Sequence, residues 1–441
     1  MVTTLNNLIK TNLILFLNLF LLLISFPLFV LFKNSYDVDM AVIFGSLYCV
    51  LMLIYLAYLT KSYFSPMSIF ISFYWMMLMG RPFLVQLKLF NAPIVSASKY
   101  DLNNVFEVNV YITLTIMAIG MIFIVMNRLV KPSYLSYKFP EILISNNVLK
   151  VIKFLFFVFG LLMIKDGVVA YQALQQSNYI QLISSGEIEY FNQTFYTIVK
   201  WSWFLIFITD KKNRVLYTIL FLFFLLALPV SGMRGYFILY ILLVLMILEG
   251  LKITKLKLTI VLPFVFGLLY LVTFLLEYRI GFSVTDKTVM SPIYKAIYDQ
   301  GSTYEVIYGV YTNLDKLNFV QNVLFPKLNE FPVFGDYVDK LRGVDFADGI
   351  GFATSAIGEV MVGGFVIWAF YILMISFALS YLHKAFLKLQ INTANLFILF
   401  FLSPIIWGQP RGAIIQFVIK FCFFIALTIF FKIKQVNKIK I

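Results

Sequence analysis

The sequence predicts an all-α bundle that crosses a membrane many times, and three observations predict it. Apolar residues make up 61% of the 441 positions, charged residues only 13%, and the mean hydropathy is +0.91. A soluble domain is nearer half apolar and a quarter charged. The apolar residues also fall into about twelve runs, each near the roughly 20 residues a helix needs to cross a bilayer. Finally, basic residues collect on every second connector, as they do on the cytoplasmic side of membrane proteins. Residues 1–441 therefore read as a single integral membrane domain rather than a series of soluble ones.

The runs follow in order. Asn12 to Phe32 is a long apolar segment with no small-residue cleavage site after it, so it reads as a retained first helix. Val38 to Thr60 and Pro66 to Leu87 follow, the latter carrying Arg81-Pro82 near its end, where proline breaks a helix. Asn104 to Met126 is the fourth span and Leu149 to Ile164 the fifth. Residues 166–194 contain Asp166, Glu187 and Glu189 and read as an external loop. Phe195 to Thr209 crosses back. Val215 to Leu228 and Tyr236 to Leu248 flank Pro229-Val-Ser-Gly-Met-Arg-Gly235, and Leu258 to Leu276 is the ninth span. Residues 277–350 are too long and too polar for a simple turn, and such a loop in a compact bundle is usually functional. Phe352 to Tyr381, Asn395 to Trp407 and Ala413 to Phe431 complete the set, with Gly408-Gln-Pro-Arg-Gly412 at the tip of the last hairpin.

Lysine and arginine bias orients the bundle. Lys10, Lys61, Arg128, Lys131, Lys138, the 211–214 turn, the 252–257 connector, Lys384, Lys388 and the lysine-rich tail fall on one side, which the bias makes cytoplasmic. Both termini are then cytoplasmic, and the loops 166–194 and 277–350 face outward. The net charge of +14 has the same origin, so nucleic acid is not an expected partner. Cys49 and Cys422 lie inside apolar runs and suggest neither a disulfide nor a metal site. His383 reads as a solvated residue of the basic connector 383–388.

Arginine departs from this bias. Arg81, Arg234, Arg279, Arg342 and Arg411 all fall at outer helix ends or in the outer loop. Arginine grips phosphate oxygens with two parallel hydrogen bonds, which lysine cannot do. The plainer alternative is interfacial snorkelling, or salt bridges with Glu277, Asp345, Asp348 or Glu359. That alternative weighs least on Arg234 and Arg411, because both sit in glycine-containing turns. Broken backbone at membrane depth is tolerated only where it lines a cavity or is covered by protein. Glu359 lies among apolar neighbours, and an intramembrane carboxylate is a functional candidate by default. Its alternative is an ion pair that only fixes packing. Tyr294 and Tyr298, like Tyr304 and Tyr308, are four apart and share a helical face. They read as interfacial anchors or as a surface on which sugar rings stack. There is no Gly-Lys-Ser/Thr phosphate loop and no His/Cys/Asp metal cluster, so no cofactor or metal is expected.

Four features resemble the Wzy-type polymerases of O-antigen and capsule repeat units. They are Ser231-Gly-Met-Arg-Gly235 between two spans, the long loop before the tenth span, Thr354-Ser-Ala-Ile-Gly-Glu359 leading into a glycine-containing helix, and Gln409-Pro-Arg-Gly412. The resemblance implies a fold like the C-type glycosyltransferase superfamily, in the bacterial cytoplasmic (inner) membrane. It implies a metal-independent glycosyltransferase that joins oligosaccharide repeats carried on undecaprenyl pyrophosphate at the outer face. A chain-length regulator and a flippase are the implied partners, besides membrane lipid. The related ligases use an external histidine, which this sequence lacks, and Glu359 is the substitute candidate for the base. Arg234 and Arg411 are the first candidates for catalysis. Arg279, Arg81, Arg342, Tyr294 and Tyr298 are candidates for binding substrate. A flippase for lipid-linked oligosaccharide is the alternative; it predicts inverted repeats and paired broken helices, and no such symmetry is visible. A membrane O-acyltransferase would be expected to carry a histidine within a span.

Overall fold

The computed structural model describes residues 38–60, 62–95, 101–129, 145–176, 193–230, 234–253, 291–325, 355–389, 393–411 and 413–438, with a few isolated positions between them. All regular structure among these residues is helical. Ten of the twelve sequence-predicted runs fall on described helices; Asn12 to Phe32 lies outside the described residues, and Leu258 to Leu276 almost wholly so.

Helix α1 is Val38–Thr60 and α2 is Pro66–Gln86. Proline at the first turn and Ser65, whose hydroxyl accepts the Ser68 amide, start α2. A π-helical turn, Trp75–Met79, interrupts it just before Arg81. Helix α3 is Leu102–Leu129, α4 is Asn146–Gln176 and α5 is Gln193–Thr209. Then come α6 (Arg214–Leu225), the short α7 (Ala227–Val230) and α8 (Arg234–Gly250). The segment 291–311 folds as α9 (Ser291–Gln300) and α10 (Thr303–Tyr311). The last elements are α11 (Ala356–Val362), α12 (Gly364–Leu387), α13 (Thr393–Trp407) and α14 (Ile414–Lys438). Among the described residues, five helices have the length and apolar composition to cross a membrane, and five shorter apolar helices accompany them.

Large apolar side chains point outward from several of these helices. Phe365 and Val366 are each 76% exposed and Phe154 65%, a pattern that suits lipid and not water. Inside, rings interlock: Trp203 stacks on Phe221 at 4.6 Å and Phe204 on Phe400 at 4.2 Å. Lipid tails are as apolar as the core, so packing and interhelical hydrogen bonds hold such a bundle. Helices α3 and α12 run parallel and are stitched along their length. The Trp368 indole donates to the Thr115 hydroxyl at 2.9 Å, the Ser376 hydroxyl to the Ile119 carbonyl at 3.2 Å, and Lys384 to the Met126 carbonyl at 3.3 Å.

These contacts sort the connectors into two ends. One end gathers Met126, Lys384, Leu389, Gly250, and Ser62 bonded to Glu249 at 2.5 Å. The other gathers Arg81, Pro93, Asp101, the 291–311 segment, the 355–359 turn, the 408–411 turn and Ile414.

The structure changes four expectations. Helix α4 runs to Gln176, so the first part of the 166–194 segment is helix and not loop. Residues 291–311, within the long polar segment, form a tightly packed helical hairpin: Tyr304, Glu305 and Val310 are buried. The predicted tenth span is two helices, split at Gly363-Gly364; Gly364 has φ of +71°, a conformation glycine alone adopts without strain. His383 is not solvated. Helix α12 continues through the basic connector to Leu387, and the imidazole is buried, edge-on to Phe123 at 5.3 Å. A helix crossing a bilayer needs the extra turns, and Lys384 beside it can still reach a carbonyl at the rim.

Candidate functional site

The site builds up from α2. The π turn packs against α10 and against the 3-10 turn Gln409–Arg411. π turns shift the register of a helix and recur at functional positions. Just beyond it, the Arg81 guanidinium is buried and pairs through Nη1 with a carboxylate oxygen of Glu305 on α10. Its flat face lies 4.0 Å from the centre of the Tyr298 ring on α9. The Tyr298 hydroxyl donates to the Pro93 carbonyl at 2.7 Å, and its ring packs on Phe90. Burial pushes the Tyr298 phenol above its ordinary pKa, against the opposing pull of Arg81. Arg81 thus clamps the hairpin to α2 through a charge on one helix and a ring on the other.

The hairpin dips into the bundle. Tyr304 reaches the Val105 carbonyl at 3.2 Å, while Tyr308 accepts the Asp101 amide at 3.0 Å. Helix α10 therefore runs antiparallel to α3, and the hairpin tip lies deeper than Tyr308. Gly301 at the tip touches Arg81 so closely that an added Cβ would lie 2.5 Å from the Arg81 Cβ. The buried Gln300 and Thr303 flank it, and their Oε1 and Oγ1 have no hydrogen-bond partner among the described residues.

Helix α11 packs on the other side of α10, with Gly358 against Val310 and Ile307. It carries Glu359, 1% exposed, whose Oε2 accepts the Ile414 amide at 2.6 Å. This is the first turn of α14, where amides lack helical partners and a carboxylate is favoured. The Ser355 hydroxyl donates to the Pro410 carbonyl at 2.9 Å, and the Trp407 indole to the Pro66 carbonyl at 2.9 Å. These bonds fasten the Gly408–Arg411 turn between α2 and α11.

Of the sequence-predicted residues, Glu359 and the backbone of Arg411 are brought together, with Arg81 and Tyr298 across α10 from Glu359. Arg234 opens α8, which packs along α13. The side chains of Arg234 and Arg411 lie outside the described residues, as do Arg279 and Arg342 altogether. Tyr294 is half-buried on α9. Tyr304 and Tyr308 do not form a stacking surface: both rings are buried and both hydroxyls are tied to α3 or the turn before it. Sequence reasoning named four possible acidic partners for the arginines and missed Glu305. Its signal was a carboxylate in the apolar stretch Thr303-Tyr-Glu-Val-Ile-Tyr308.

The model of the O-antigen polysaccharide polymerase Wzy family matches residues 14–331. The chain belongs to that family. The matched region holds Arg81, Arg234, Arg279, Tyr298 and Glu305, and stops short of Glu359 and Arg411. An O-antigen polymerase of Escherichia coli is 28% identical over 246 residues, which are 53% of each chain. The match thus spans about half the length of that curated relative. No solved structure matches.

Proposed function

We propose that the protein polymerises O-antigen or capsular repeat units carried on undecaprenyl pyrophosphate, at the outer face of a bacterial cytoplasmic membrane. Family membership supports the polymerase activity. The observation that carries the site is the seating of Glu359 on the first turn of α14, directly after the Arg411 turn. About twelve spans with both termini cytoplasmic follow from the basic connectors, and the loops with the arginine turns then face outward.

In this reading a hydroxyl of one repeat attacks the anomeric carbon of the growing chain. The new glycosidic C–O bond forms as the C–O bond to pyrophosphate breaks, and the hydroxyl proton passes to Glu359. Arg411 and Arg234 stabilise the charge that develops on the departing pyrophosphate, the kind of preorganised stabilisation worth about 3–4 kcal/mol per donor elsewhere. The step is written without a metal or cofactor, because the arginines supply the positive charge. Arg279 and Arg342 extend this cationic surface, Tyr294 offers a ring to the sugars, and Arg81 with Tyr298 fixes the hairpin beside it. A fold like the C-type glycosyltransferases, and partnership with a flippase and a chain-length regulator, belong to the same reading.

Replacing Glu359 by glutamine tests the assignment. Glutamine can still accept the Ile414 amide but cannot take a proton. Long polysaccharide chains should disappear at unchanged protein level while single-repeat product accumulates. Normal laddering in Glu359→Gln, with loss in Glu359→Ala, would reduce Glu359 to a positioning residue. Arg234→Lys and Arg411→Lys should also lose long chains. Accumulation of the single-repeat product at the outer face also argues against a flippase, since the repeat would already have crossed.

A further inference from the structure

Helix α10 fills the space between two parts of the proposed site. One flank carries Glu305 to the Arg81 guanidinium. The other lays Ile307 and Val310 on Gly358, the neighbour of Glu359 in α11. The π turn just before Arg81 packs on α10 and also on the Gln409–Arg411 turn. Arg81, Glu359 and the Arg411 turn thus surround one helix, Thr303–Tyr311. A helix with its side chains is about 10 Å across. While α10 stays in place, no diphosphate or sugar fits between Arg81 and Glu359.

The hairpin is also built unlike a permanent core element. Its deepest stretch, Asp299-Gln-Gly-Ser-Thr303, is polar, yet Gln300 is 3% exposed and Thr303 2%. Polar groups withdrawn from water favour a state in which water or a ligand reaches them. Next to the tip, Glu305 is 0% and Arg81 5% exposed. A buried ion pair adds little net stability over apolar side chains of similar volume, and its best-attested uses are in register and switching. Ionisable groups at membrane depth mark substrate pathways. Glu305 offers Arg81 what a phosphate offers, an anionic oxygen on a guanidinium.

We propose that the α9–α10 hairpin is a plug in an autoinhibited arrangement, in which Glu305 holds Arg81 in place of a phosphate oxygen. The diphosphate of a lipid-linked repeat takes Arg81 from Glu305 as the hairpin withdraws, and the space between Arg81 and Glu359 opens to the sugars. This rests on the reading that Glu359 and Arg411 act on such a repeat. Arg81 is then the clamp of the closed state and a substrate contact of the open one.

The test uses the full-length protein lacking Cys49 and Cys422, in phosphatidylcholine nanodiscs. A Cβ on Gly80 would lie 2.6 Å from the Ile297 Cγ2 and at least 3.6 Å from its other neighbours, within reach of a disulfide to α9. Gly80→Cys/Ile297→Cys should bind undecaprenyl diphosphate roughly tenfold more weakly when oxidised than when reduced, because the open state is removed. Equal affinity in both forms overturns the plug. Glu305→Gln keeps a hydrogen bond to Arg81 but gives up the charge, and should bind the diphosphate roughly tenfold more tightly. Unchanged or weaker binding there overturns the exchange and leaves Glu305 a structural partner. If either variant fails to fold, Thr303→Cys decides. Its reaction with a membrane-impermeant maleimide should speed up roughly tenfold when undecaprenyl diphosphate is added. A constant rate overturns the proposal, and so does equal acceleration by phosphatidylglycerol, which would make a bulk headgroup the ligand. Polysaccharide ladders in cells separate the plug from the reading it rests on. Normal ladders in Glu359→Gln and Arg411→Lys, with tighter binding in Glu305→Gln, would keep the plug and sink that reading. Lost ladders in those two variants, with normal binding by the oxidised cysteine pair, would do the reverse.

Discussion

Arg81 survives in the interior because three neighbours answer it: a carboxylate, a ring face and a glycine that makes room. Burying two charges is expensive, and the pair repays that cost only while both partners are present. Arg81→Met should therefore destabilise the protein by about 3–5 kcal/mol, since it strands Glu305 without its countercharge. The double variant Arg81→Met/Glu305→Leu should recover most of the thermal midpoint in detergent. Polysaccharide laddering separates the two roles of Arg81. If the ladder returns with the stability, Arg81 is a clamp and not a phosphate ligand. If stability returns and the ladder does not, the guanidinium also meets substrate.

Single glycines set how closely elements approach. Gly301 joins α9 to α10, and a Cβ there would meet the Arg81 Cβ at 2.5 Å and its backbone nitrogen at 3.1 Å. Neither atom can swing aside. Gly301→Ala should cost about 1–3 kcal/mol, as overpacking does, and lift the hairpin away from α2. Gly235 is the control. It lies in the first turn of α8, and no described residue comes within 4 Å of an added Cβ. Gly235→Ala should be neutral or stabilising by up to about 1 kcal/mol, from helix propensity. A thermal shift of equal size in both variants would contradict this account of the hairpin contact.

At the scale of the whole molecule, the two sets of connectors must lie on opposite sides of the membrane if the apolar helices cross it. Asp315 follows the helical hairpin at one end, Lys252 follows α8 at the other, and both are exposed. In a variant lacking Cys49 and Cys422, a cysteine at position 315 should react with a membrane-impermeant maleimide in intact spheroplasts. A cysteine at 252 should react only after permeabilisation. The opposite pattern would invert the bundle and place Glu359 and the Arg411 turn on the cytoplasmic side. Labelling of both in intact spheroplasts would refute the division itself.

Much of this was legible in the sequence, because a bilayer imposes its rules locally. A run such as Val38 to Thr60 must satisfy its own backbone, so its length and composition alone make it a helix. The lysines of alternate connectors likewise carry their sidedness without reference to any neighbour, and Glu359 announced itself by standing charged among apolar residues. What the sequence could not hold is which distant charges meet. Glu305 lies 224 positions from Arg81, and nothing local to either marks the partner; only the folding of 291–311 into the bundle joins them. The same holds for His383, where helix continuation overrode a basic connector. Local solvent chemistry fixes where helices form and how they alternate. Tertiary packing alone decides which charges are neutralised, as Arg81 is by Glu305.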